Sequence, residues 1–223
     1  MPDTIDHYKF RPTRQQPVHE HVRLNGQFDQ EQWWPAELRT LEFLGSPTKK
    51  WHEGAEPKIF HQELHLTAYH IDTAPQPLRT VRVDNQFTSP QGQVWQIATP
   101  ELLLVPARKL HYGDDVENPE PPPGEHYACY RVEQAPEVNV PVRLQDQFDR
   151  EPHRALVRRP LFLGVPVRKK HGDNEPAPHW NERVHLVLYE IESGVTILDQ
   201  FGSQPINLGA TMLGVPSSKQ WLH

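Results

Sequence analysis

The sequence predicts an all-β chain of four tandem, pseudo-equivalent modules forming small antiparallel barrels or sandwiches. Three observations carry this. Short apolar runs alternate with period two, which places branched side chains on one face of a strand. The chain of 223 residues holds 24 prolines, and they sit between those runs, as rigid loops between short strands require. The same landmarks also return at a spacing of about 60 residues, the mark of a repeat architecture.

Each copy opens on a histidine: His7-Tyr8-Lys9-Phe10, His65-Leu66-Thr67-Ala68-Tyr69, His126-Tyr127-Ala128-Cys129-Tyr130 and His185-Leu186-Val187-Leu188-Tyr189. A second strand follows with the form V-x-Φ-x-[GND]-Q-F. It holds Val22 to Phe28, Val81 to Phe87, Val142 to Phe148 and Val195 to Phe201. The residue before each glutamine (Gly26, Asn85, Asp146 or Asp199) suits a turn, because such residues tolerate positive φ or bond their own backbone. The expectation is that Gln27, Gln86, Gln147 and Gln200 satisfy turn backbone groups, and that Phe28, Phe87, Phe148 and Phe201 anchor the core, at roughly 1.5–3 kcal/mol per buried ring.

The third landmark is a buried strand expected to end at Pro47, Pro106, Pro166 or Pro216, since proline donates nothing to a ladder. The basic residues beyond, Lys49-Lys50, Arg108-Lys109 and Arg168-Lys169-Lys170, are expected to emerge into solvent. The modules are placed at 1–60, 61–121, 122–181 and 182–223, the last shortened. Acidic, proline-containing segments lie between them, and the one from Asp114 to Glu125 is the best boundary. A turn or two of helix is tolerated only at Pro35 to Leu44.

A net charge of -6 argues against a nucleic-acid footprint, which shows as a clustered basic excess. No apolar run is long enough for a membrane-spanning helix, and the opening residues lack a signal-peptide core, so the expectation is a soluble, cytoplasmic chain without membrane insertion. A single cysteine, Cys129, excludes an internal disulfide and a Cys-rich zinc site.

The landmarks resemble a family of bacterial tandem-repeat modules of unknown function, usually found in secreted or surface proteins. Its pattern runs H-Φ-x-C-Y, then V-x-Φ-x-[ND]-Q-F, then L-L-C-V-P-x-x-K. The resemblance covers almost the whole chain and implies no activity. It also implies a cysteine pair in each module, at positions held here by Phe10 and Gly45, Ala68 and Leu104, Cys129 and Gly164, and Leu188 and Gly214. Packing of a small residue against a large one would replace each bridge.

Catalytic templates are missing: no G-x-S-x-G elbow, phosphate loop, dinucleotide fingerprint or C-x-x-C occurs. Fourteen histidines raise a metal reading, with His65, His111, His126, His171 and His185 as candidates. The plainer reading of a residue repeated in every structural unit is a hydrogen-bonding group at a strand edge. No cofactor is expected. The function expected is non-enzymatic, a structural or protein-interaction scaffold with protein partners. The alternatives are a histidine-based metal protein or enzyme, or a carbohydrate-binding module using exposed tryptophans. Trp33, Trp34 and Trp221 are the candidates for an interaction patch.

Overall fold

The computed structural model describes residues 5–30, 32–52, 54, 57–110, 123–173, 183–200, 202–207 and 211–222, with only the backbone course at 194–199 and 202–207. The alternating runs become strands, and the described residues contain twelve: β1 (His7–Gly26), β2 (Trp34–Trp51), β3 (His65–Asp72), β4 (Arg79–Asp84), β5 (Gln93–Ala107), β6 (His126–Gln134), β7 (Val140–Gln145), β8 (His153–His171), β9 (His185–Glu192), β10 (Gly194–Asp199), β11 (Gly202–Asn207) and β12 (Met212–Trp221). Pro35 to Leu44, where a helical turn was tolerated, lies inside β2. No described helix is long and apolar enough to cross a membrane.

Every pairing is antiparallel. Each histidine-led segment pairs on one side with the long strand of its own copy and on the other with that of the preceding copy. Thus β1 pairs β2, β2 pairs β3, β3 pairs β5, β5 pairs β6, β6 pairs β8, β8 pairs β9 and β9 pairs β12. The circuit returns to its start, because Tyr8 and Phe10 of β1 pair Gly214 and Met212 of β12. This differs from the expected small barrels or sandwiches: ten strands drawn from all four copies share one sheet, β10 and β11 form a separate two-stranded one, and ladders cross every expected module boundary. The expected divide at Asp114 to Glu125 is crossed by the β5–β6 ladder. The reason lies in the strands themselves, which are apolar on both faces and so need cover on both sides.

The two faces feed two cores. Leu66 and Ala68, Leu102 and Leu104, Tyr127 and Cys129, and Leu186 and Leu188 pack with Phe10 and Met212 in one cluster. Their alternating neighbours, Leu103, Ala128, Tyr130, Leu163, Val165, Val187, Tyr189, Leu213 and Val215, pack in the other. There they meet the inward residues of the hairpin strands, such as Val22, Leu24, Val81, Val83, Trp95, Val142 and Leu144. Period-two alternation thus assigns each strand residue to one cluster.

The positions expected from the resemblance to hold cysteines are direct cross-strand partners in all four copies: Phe10↔Gly45, Ala68↔Leu104, Cys129↔Gly164 and Leu188↔Gly214. A Cβ built on Gly45 would stand 2.6 Å from the Phe10 ring, so glycine here makes room for a large partner. Gly214 is similarly filled, with Phe10 at 3.1 Å and Leu186 at 3.2 Å.

β5 ends at Ala107, directly after Pro106 as expected, but the other three prolines do not end their strands. β2 runs on to Trp51, β8 to His171 and β12 to Trp221, and Pro47, Pro106, Pro166 and Pro216 are all buried. One side of each strand changes neighbour there. β2 leaves β3 after Gly45 and takes up β7 at Lys49. β8 leaves β9 after Gly164 and takes up β1 at Val167, and β12 leaves β1 after Gly214 and takes up β4 at Ser218. Pro47, Pro166 and Pro216 each fill the gap between two ladders, where the missing N–H is not needed on that side, whereas Pro106 lies opposite Leu66 near the end of its ladder.

Candidate functional site

The repeated signature converges where one copy meets the next. In the three copies whose side chains are described, the turn with Gln-Phe at its centre closes alike: the fourth residue's N–H donates to the first carbonyl (Asp29 to Gly26, 3.0 Å; Thr88 to Asn85, 3.0 Å; Asp149 to Asp146, 3.1 Å). That fourth side chain then accepts from the first N–H: Asp29 Oδ2 at 2.7 Å, Thr88 Oγ1 at 2.8 Å and Asp149 Oδ2 at 2.9 Å. The Phe87 and Phe148 N–H groups donate to Asn85 Oδ1 and Asp146 Oδ1, each at 2.9 Å. The turn is therefore satisfied by its first and fourth residues, not by the glutamine as expected.

The glutamine amides reach outward instead. Gln86 Nε2 donates to His7 Nε2 at 2.9 Å, and Gln27 and Gln147 meet His185 and His65 in the same way. The tautomer follows from the other ring nitrogen: His65 Nδ1 donates to the Glu63 carbonyl at 3.2 Å and His185 Nδ1 to the Arg183 carbonyl at 3.3 Å, which leaves Nε2 as acceptor. The glutamine carbonyl accepts from a lysine, Lys50 on Gln86 and Lys109 on Gln147. The same lysines lie over the neighbouring phenylalanine. Lys50 Nζ is 5.2 Å from the Phe87 ring centroid, Lys109 5.8 Å from that of Phe148, and Lys219 3.7 Å from that of Phe28.

In each case the histidine and lysine come from the copy before the glutamine, with copy four preceding copy one. The lysine is the last residue of P-x-x-K, and it does not simply enter solvent: Lys50 is buried. Burial, then Lys50 and His52, pushes His7 down to about 3; burial and Lys219 push His185 down to about 3. Both imidazoles are thus neutral acceptors near pH 7. Burial, then the Arg79 charge, brings Lys219 down to about 7.

A further side chain reaches each corner from the copy two places on. Tyr130 meets Phe28 edge-on at 5.3 Å, and Tyr189 meets Phe87 edge-on at 5.3 Å. Copy one carries Arg11 at that place, and its guanidinium lies 5.1 Å from the Phe148 centroid while binding Asp146 and Asp149. Lys9, fully buried, joins the same two carboxylates. Burial pushes the Asp149 carboxyl up, but the Lys9 and Asp146 hydrogen bonds and the Lys9 and Arg11 charges outweigh it and hold it below the usual range. Tyr189 receives a hydrogen bond from Asn85 Nδ2 at 3.0 Å, whereas Tyr130 Oη is buried with no hydrogen-bond partner among the described residues. The cause is in the sequence: its corner begins on Gly26, which has no side chain to offer.

Phe28 is 6% exposed, Phe87 half-buried and Phe148 52% exposed, so the expected core anchor is met in the first copy and replaced by cation contacts in the third. Gln200 is an exposed turn residue, and Phe201 lies outside the described residues.

The histidine candidates are not brought together. His65 and His185 serve separate corners, and exposed His171 pairs with Glu20 at 3.1 Å. His126 opens β6, and His111 lies outside the described residues. Among the described residues no group of three His, Cys, Asp or Glu is placed to hold a metal ion. Cys129 is buried, and burial pushes its thiol well above the ordinary range, away from the reactive thiolate. Trp33 and Trp34 are half-buried beside the first corner, and Trp221, 37% exposed, packs edge-on to Phe28 at 5.1 Å.

Lys50 and Lys109 were expected only as solvent-facing charges, and the fourth turn residues were not singled out from the sequence. Their signal was fixed spacing: lysine three places after each proline, and Asp29, Thr88 or Asp149 directly after each phenylalanine.

One large antiparallel sheet shared by all four copies and stitched by one recurring set of residues defines a tandem-repeat protein. The chain belongs to the family described as a repeat of unknown function, DUF7450, which matches residues 65–215. No curated protein and no solved structure matches it.

Proposed function

We propose that the chain is a non-enzymatic architectural module, in which four equivalent quarters close into one barrel and the segments that differ between copies meet protein partners. The observation that carries this is the corner of histidine, glutamine, lysine and phenylalanine between successive copies. The residues most repeated along the chain are occupied with one another, so what recurs is the joint between quarters rather than a reacting centre. Asp29 to Arg39, Ser89 to Trp95, Asp114 to Gly124 and Gly172 to Asn181 do not follow the repeat, which leaves them as the source of specificity.

The test separates the two halves of the reading. Exchanging residues 89–92 for their counterparts 150–152 in copy three, which leaves the buried Trp95 in place, should leave the melting temperature nearly unchanged and remove specific proteins from a pull-down. Substituting Gln86 should lower the melting temperature and leave the captured set intact. Identical captured sets after exchange of every one of the four segments would end the interaction reading.

A further inference from the structure

The first corner carries more than its turn requires. Trp34 stands opposite Leu24 in the ladder, and the matching places in copies two and three hold Gln93, opposite Val83, and His153, opposite Leu144. The preceding residue is Trp33 in copy one but Gly92 and Pro152 in the others. The same four-residue turn closes in all three, so the fold does not call for the tryptophan pair.

Both rings are nevertheless held in place. Trp34 Nε1 donates to Asp29 Oδ2 at 2.8 Å, and the Arg168 guanidinium lies 5.3 Å from the Trp33 centroid. With Phe28 they border a recess of about 290 Å³, whose remaining walls include Gln30, Gln32 and Gln76. That volume is at the low end for small-molecule sites, roughly 300–1,000 Å³, and suits one ring rather than an extended ligand. Gln30 has φ of 44°, in the left-handed region that residues other than glycine and asparagine seldom occupy.

The lining selects a chemistry. The charged members, Asp29 and Arg79, have opposite signs and are each bonded within the protein, Asp29 to the Gly26 N–H and Trp34, and Arg79 to Gln76 Oε1 at 2.8 Å. Within the lining itself a fixed ligand charge therefore finds no net counter-charge, and the further cations beside it, Arg168 and Lys219, are engaged with the Trp33 and Phe28 rings. Indole faces offer apolar contact to a flat C–H surface, and amides both donate and accept, as hydroxyl groups do.

We propose that this recess is a saccharide-binding subsite that takes one neutral pyranose ring, its apolar face on the tryptophan pair and its hydroxyls on the glutamine amides. It goes beyond the architectural reading and does not depend on it. The test titrates the full chain with cellohexaose, maltohexaose and chitohexaose at millimolar concentration, following heat and tryptophan fluorescence, and repeats this with Trp33→Ala and Trp34→Gln, the latter copied from the second turn. The expected result is binding of at least one oligosaccharide that weakens roughly tenfold or more in Trp33→Ala, with an unchanged melting temperature, since aromatic anchors carry a large share of binding energy. Failure of the wild-type chain to bind any of the three, or full affinity in Trp33→Ala, overturns the proposal. The barrel reading is judged separately, by the melting temperature of the Gln86 variant.

Discussion

Cys129 and Gly164 are cross-strand partners, and a Cβ built on Gly164 would stand 3.4 Å from Cys129 Sγ. In a disulfide the corresponding Cβ to sulfur distance is about 3 Å, so Gly164→Cys should place a second sulfur within bonding reach with little backbone motion. The bridge would close a loop of about 36 residues, 129 to 164, for which the chain-entropy relation gives ~3.8 kcal/mol. Against this stands the Leu186 carbonyl oxygen, 3.0 Å from the new Cβ, and crowding of this kind costs roughly 1–2 kcal/mol. The net gain is about 2–3 kcal/mol, or roughly 4–12 °C in melting temperature for a chain of this size. Cys129 is fully buried, so the variant should be refolded in a glutathione redox buffer before thiols are counted under denaturing conditions. The expected result is no free thiol, and a melting temperature that falls when reductant is added. Two free thiols after refolding would refute the register, and with it the idea that apolar packing stands where cysteine pairs would otherwise lie.

Gln86→Leu removes the donor to His7 and one acceptor for Lys50 together, and should cost about 1–3 kcal/mol by denaturant unfolding, since the His7 Nε2 acceptor loses this hydrogen bond away from water. His7 and His185 fold with pKa lowered from 6.5 to about 3, so the unfolded chain binds more protons between those values. Stability should therefore rise as pH climbs from about 3 to 6.5, with a shallower slope in His185→Asn, and rise again above about 7, where Lys219 loses its proton in the folded chain before it does in the unfolded one. Tyr130→Phe removes an unpartnered buried hydroxyl and should be neutral or stabilising by up to ~1 kcal/mol, whereas Tyr189→Phe, which loses Asn85, should cost about 1 kcal/mol in the same unfolding assay. In a double-mutant cycle, Arg11→Tyr and Asp146→Asn should each destabilise alone and couple by at least ~1 kcal/mol together, because the pair rebuilds the Tyr189–Asn85 arrangement.

Strand content and the order of landmarks were legible because alternation and self-similarity are local signals. Closure was not, because it depends on β12 reaching β1 across the length of the chain, and no periodicity encodes that. The prolines show the limit well. Taken alone, Pro47 or Pro216 marks a strand end; in the sheet each marks the place where one side of a continuing strand changes neighbours. The glutamines were correctly seen as repeated and misassigned in partner, because a turn close in sequence is the nearest candidate and the true partners lie 79, 82 and 158 residues away. The separation into turn residues and joint residues became visible only when Asn85 and Asp146 were found already serving the turn backbone.

The first copy shows how a closed ring of repeats tolerates divergence. Its places on the face covered by the hairpin strands hold Lys9 and Arg11 where copies three and four hold Ala128 and Tyr130 or Val187 and Tyr189. Two buried or half-buried cations would be untenable there alone, because desolvation of a charge without a partner costs several kcal/mol. The third corner answers with Asp146 and Asp149 in the same turn that elsewhere needs only Asn85 and Thr88, so each carboxylate serves both its own turn and the neighbouring cations. Such a change can enter a ring only as a matched set on copies one and three, since each corner is built from three different copies. The same arrangement accounts for the Tyr130 hydroxyl: with Gly26 at the first place of that corner, no side chain there takes the role of Asn85, and the hydroxyl has no hydrogen-bond partner among the described residues.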